Sequence, residues 1–237
     1  DSDQWLDFSP GIESNGVYLT AGNTFIAQLR WKDEWGAAFS DFDLYLIDSN
    51  GSTVASSKDA QTGALAQDPF EKISYTPDDS GEYFLEVHHF SGPVPAWLQM
   101  NSFTGEDLEI KVAHNSIANP AESANSGMLA VGASNWETPH TIENFSSRGP
   151  TADGRVKPDI VAANRGDSVT YGVGGFAGTS QSSPHVTGLA ALVLDQFSTI
   201  GPTGVSSYLK DNAIAQGNAP NNTWGYGLAQ LPTLAPG

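Results

Sequence analysis

The chain has 237 residues, a formal net charge of -17 and no cysteine, which excludes disulfide cross-links and cysteine-based metal sites and sets it against polyanions such as nucleic acid. Hydrophobic residues make up 39%, enough for two modest cores, and no apolar run approaches the length needed to span a membrane. The charge is uneven: residues 1–112 hold 19 acidic and 5 basic side chains and residues 113–237 hold 8 and 5, so a domain boundary is expected near 112–120, where HNSIANP supplies turn chemistry.

Residues 1–115 read as β throughout. Apolar and polar side chains alternate in GVYLT, TFIAQLRW, FDLYLID, EYFLEVHHF and LEIKVA, and glycine, asparagine, proline and aspartate punctuate these runs. Short strands at such spacing without helical patterns predict an all-β sandwich of jelly-roll type. Asp33, Asp41, Asp43 and Asp48 carry the oxygens that calcium favours, so a structural calcium is the one cofactor the pattern permits. Asp41 and Asp43, however, alternate along one strand face and read as a solvated edge. Trp31, Trp35 and Trp97 suit either a docking platform or packing, and packing is the commoner use of such rings.

Residues 116–237 change character. MLAVGA and DIVAA are short apolar strands of the buried parallel type, VTYGVGGFAGT is a glycine-rich turn, and PTGVSSYLKDNAI has helical spacing with proline near its start. Between the last two lies GTSQSSPHV, Gly178 to Val186, followed by Leu189, Ala190, Leu192, Val193, Leu194 and Phe197, a run dense enough for a helix buried on most sides. Ser180 falls in the first turn, where unpaired N–H groups and the positive dipole end would face whatever its hydroxyl attacks; the plainer reading makes Thr179 or Ser180 an N-cap. Pro184 is tolerated so near the start.

GTSQSSPHV resembles the nucleophile motif of the subtilisin-like serine peptidases, GTSMASPHV, with Gln181 and Ser182 in place of methionine and alanine. MLAVGAS, FSSRGPTADGRVKPDIVAA (145–163) and WGYGLAQLP (224–232) are similar to other segments of the same catalytic domain, in the same order. The resemblance covers roughly residues 118–237. It implies an α/β fold, the C-terminal part of a subtilase parallel-sheet domain, beside the sandwich. It also implies Ser180 as catalytic nucleophile, a protein or peptide as substrate, no cofactor for the chemistry, and secretion or cell-surface display.

The family's triad runs Asp, His, Ser along the chain, so both partners should precede Ser180. None of His88, His89, His114, His140 or His185 is followed by the glycine of the family's histidine motif. Asp79-Ser80-Gly81 sits in a polar hairpin turn, and Ala21-Gly22-Asn23 between alternating strands reads as a turn rather than as the family's oxyanion asparagine. The expectation is therefore a chain that begins inside its parent protein, with the N-terminal half of the catalytic domain as partner and no peptidase activity alone. Arg148, Lys157 and Asp159 read as structural pairs. Two other readings stay open: a binding or adhesion module on a subtilase remnant, and a serine hydrolase of another class that recruits His88 or His89.

Overall fold

The structure, a computed structural model, describes residues 3–104, 106–138 and 141–232, so His140 lies outside the described residues. It divides into two compact units, residues 1–111 and 112–237.

Among the described residues the first unit has seven strands: β1 (Ser14–Leu19), β2 (Phe25–Trp31), β3 (Asp41–Asp48), β4 (Thr53–Ser57), β5 (Phe70–Tyr75), β6 (Gly81–Ser91) and β7 (Leu98–Ser102). They form two antiparallel sheets in the orders β1-β6-β3-β4 and β5-β2-β7. Period-two side-chain alternation drives the arrangement. Phe25, Ala27, Leu29 and Trp31 of β2 point inward, as do Leu44 and Leu46 of β3 and Tyr83, Leu85 and Val87 of β6, and all join one core. Trp31 is therefore a core residue, 1% exposed, with its indole N–H donating to the Ser40 carbonyl at 3.1 Å; of the three tryptophans only Trp35 is largely exposed.

Two further expectations are corrected. Asp41 and Asp43 are not a solvated edge, because β3 lies between β6 and β4 and both residues are buried; Asp43 accepts the Tyr45 hydroxyl at 2.8 Å. LEIKVA is not a strand. It tracks the edge of β1 through Glu109 N–H to Gly16 O and a reciprocal pair between the Asn15 amide and the Ile110 backbone, and these local bonds replace a ladder.

Asp33 and Asp48 spend their oxygens on their own turns. Asp33 accepts the N–H groups of Glu34, Phe39 and Ser40 at 2.7–2.8 Å, and Asp48 those of Asn50 and Ser52. Among the described residues no cluster of three or more His, Cys, Asp or Glu is arranged to hold a metal ion.

In the second unit β8 (Val131–Asn135) and β9 (Ile160–Asn164) pair in parallel, Val131 opposite Ile160, as the apolar runs predict. Helix α1 (Thr179–Gln196) packs on both strands and α2 (Gly201–Asp211), with proline in its first turn, packs on α1. Ile160, Ala162, Val186, Val193, Val205 and Leu209 form the core. Only Ser182, Val186 and Val193 of α1 are buried, since β8, β9 and α2 cover one side of it; Leu192, Leu194 and Phe197 are 58%, 44% and 40% exposed. The burial on most sides that the sequence suggests is absent among the described residues. Among the described residues no helix is long and apolar enough to cross a membrane.

Candidate active site

Ser180 is the second residue of α1 and is exposed. The residue before the helix, Gly178, has φ 126° and ψ 167°, a backbone that side-chain-bearing residues rarely adopt, so the turn that presents Ser180 depends on glycine there. Among the described residues no side chain caps the helix. The N–H groups of Gln181 and Ser182 turn back to the Gly178 carbonyl at 3.0 and 3.5 Å. Those of Thr179 and Ser180 find no partner among the described residues, leaving two oriented donors at the positive end of the helix dipole. The N-cap alternative falls away with the absent cap bond.

The end of β9 is stitched to this turn by three side chains. Asn164, fully buried, accepts the Gly178 N–H on Oδ1 at 3.3 Å while Nδ2 donates to the Ser134 carbonyl at 2.8 Å and to Glu143 Oε1 at 2.9 Å. Gln181 grips Gly166 from both sides, Oε1 accepting its N–H and Nε2 donating to its carbonyl, each at 3.0 Å. His185 Nδ1 lies 3.0 Å from the Ala163 carbonyl; since a carbonyl only accepts, Nδ1 carries the proton. The histidine of the serine motif is thus exposed and committed to β9 rather than packed in a core.

Glu143 anchors the network. Its Oε1 also receives Asn135 Nδ2 at 3.3 Å and lies 3.4 Å from Arg165 Nε, whose residue adopts φ 63°. Sequence reasoning singled out Gln181 only as a departure from the family motif, and it missed Asn164, Asn135 and Glu143. The available signal was the polar Asn164 closing an apolar strand, IVAAN.

Lys157 and Asp159 form a buried pair at 2.6 Å, and Lys210 adds a second cation at 2.8 Å on the other carboxylate oxygen. Burial alone would raise the Asp159 carboxyl, but hydrogen bonds from both lysines and from the Ala130 N–H hold it below the usual range. Arg148 takes no part in this pair; its Nε is buried without a partner among the described residues. His88 and His89 sit on β6 in aromatic contacts, His88 4.7 Å from the Trp5 ring and His89 stacked 4.6 Å from Phe42. Asn23 closes the β1–β2 turn through its N–H to Thr20 O, and Asp79 accepts the Tyr83 hydroxyl on its carbonyl.

A cavity of about 420 Å³ runs along α1, lined by Met128, Val131, Val186, Ala190, Leu194 and Val205 among others, and Ser180 is not part of its wall. Its wall is mainly apolar, with the hydroxyl-bearing Ser183, Thr187 and Ser206, and carries no titratable group.

The Subtilase family model matches residues 104–227, just over half of the chain, and the Bacterial pre-peptidase C-terminal domain model matches residues 16–89. Similar curated proteins include pyrolysin of Pyrococcus furiosus, 46% identical over 58 residues covering 22% of this chain and 4% of that protein. Serine protease AprX of Bacillus subtilis is 30% identical over 114 residues (41% and 26%). Bacillopeptidase F of the same species is 34% identical over 152 residues (57% and 10%). The chain spans about a quarter or less of the length of these three relatives.

Proposed function

The chain belongs to the subtilase family, and from that premise we propose that it is the nucleophile-bearing part of a secreted subtilisin-like serine endopeptidase, with Ser180 as nucleophile and the triad histidine, triad aspartate and oxyanion asparagine supplied from sequence outside these 237 residues. The observation that carries the reading is the exposed Ser180 in the uncapped first turn of α1, beside two unpaired N–H groups.

In this mechanism Ser180 Oγ bonds to the peptide carbonyl carbon as the histidine takes its proton, and the Ser180 N–H and the asparagine amide hold the oxyanion. The C–N bond then breaks as the histidine returns the proton to the leaving amine, and water repeats the sequence on the acyl-enzyme to free Ser180. The N-terminal half of the catalytic domain would cover part of the α1 surface that β8, β9 and α2 leave open, where Leu192 is 58% exposed. The first unit is read as an inserted sandwich of jelly-roll type; the match to a pre-peptidase C-terminal domain supports an accessory role and secretion.

Because triad groups act as a unit, the 237-residue chain alone should hydrolyse no peptide above background. Incubation of homogeneous chain with a generic fluorogenic peptide tests this; turnover that disappears in Ser180→Ala would contradict it.

A further inference from the structure

We infer that Gln181 and Asn164 are positioning residues for Ser180: a side-chain latch between the end of β9 and the first turn of α1 sets where the nucleophile and its oxyanion N–H point. The inference rests on the peptidase reading for its catalytic consequence and on geometry alone for the latch.

Backbone bonds fix this turn only in part, through the Gln181 and Ser182 N–H groups on the Gly178 carbonyl. Gly178 sits in a conformation reserved for glycine, and the N–H groups of Thr179 and Ser180 are unpaired among the described residues. Gln181 compensates by pinning both the N–H and the carbonyl of Gly166. The contact has no slack, for a Cβ on Gly166 would come within 3.0 Å of Gln181 Nε2. A methionine, as the family motif has here, offers no N–H donor and only a weak acceptor, so it cannot make this two-point bond.

Asn164 holds the preceding residue. Both donors of its Nδ2 are used, on Ser134 and Glu143, its Oδ1 accepts from Gly178, and it is fully buried, so its amide plane is fixed. Glu143 is nearly buried and in turn receives Asn135 and Arg165. The chain of contacts therefore runs from the β8 end through Asn164 to the glycine two residues before the nucleophile. An error on the order of 1 Å in a nucleophile's position costs up to about 100-fold in rate, which is the scale on which such a latch acts.

Two measurements test it together. In the 237-residue chain, amide hydrogen exchange resolved at Gly166 and Gly178 should speed up about tenfold at Gly166 in Gln181→Met and at Gly178 in Asn164→Gly, with the β-sandwich amides unchanged. In the complete protein, each variant should lower the rate of Ser180 modification by a fluorophosphonate by roughly 10- to 100-fold and lower kcat while leaving KM within about twofold. Gln181→Glu should keep more exchange protection at Gly166 than Gln181→Met at the same pH, since a carboxylate oxygen still accepts the Gly166 N–H although it cannot donate to the Gly166 carbonyl. Unchanged exchange, or wild-type labelling rates in both variants, would overturn the latch. A wild-type complete protein that resists the reagent would instead sink the peptidase reading, and the exchange data alone would then decide whether the latch exists.

Discussion

Glu71 is a carboxylate with no solvent exposure, placed on β5 beneath the segment that follows β4. Burial pushes its pKa from 4.5 up to about 7, against the opposing pull of hydrogen bonds from Ser57, the Gln61 amide and the Asp59 N–H. The folded state therefore holds a proton between pH 4.5 and 7 that the unfolded chain has released, so this group's contribution to stability is greatest below 4.5 and is lost as pH rises toward 7. The loss is on the order of 3 kcal/mol. Urea unfolding between pH 5 and 8 should give a falling stability that flattens in Glu71→Gln, and parallel pH curves for the two proteins would refute it. Ser182 makes a second residue-scale case. It is fully buried, its hydroxyl has no partner among the described residues, and the family motif has alanine there. Ser182→Ala should stabilise the chain by about 1 kcal/mol, read as a higher urea midpoint with unchanged slope.

At the scale of elements, α1 is stable through one face only. Leu209 on α2 is fully buried, so Leu209→Ala should cost about 2–5 kcal/mol, whereas Leu192→Ala on the open side of α1 should change stability by less than about 0.5 kcal/mol. A comparable loss at Leu192 would mean that the open face is packed in solution. The strands with the strongest alternation, β2, β3 and β6, were legible, because each buries alternate side chains in the same core. LEIKVA alternates equally well yet pairs with β1 only at its edge, since periodicity reports an amphipathic face and not the presence of a partner strand. Asp41 and Asp43 misled for the same reason: sequence gives the alternation of a strand but not its place in the sheet, and an interior position buries polar groups that find local partners. At the helix start the glycine, the serine and the proline were readable from their chemistry. The Asn164–Glu143 network was not, because its members are brought together from three separate segments of the chain.

On the scale of the whole molecule, two cores share no residue: one draws on positions from Leu6 to Leu108, the other on positions from Leu129 to Leu231. A piece comprising residues 1–111 should therefore fold alone, giving a dispersed amide spectrum and a cooperative melt; a collapsed spectrum would show that the sandwich needs the rest of the chain. The second unit is a different case, with a two-stranded parallel sheet and helix α1 covered on one side among the described residues. In the proposed reading, the exposed Ser180 beside N–H groups unpaired among the described residues works with triad partners from sequence outside these 237 residues. The most direct test is intact-mass and peptide mapping after fluorophosphonate treatment of the 237-residue chain and of the complete protein in parallel. The account requires one adduct, on Ser180, in the complete protein and none in the isolated chain. An adduct on the isolated chain, a modified residue other than Ser180, or no adduct on the complete protein would contradict it.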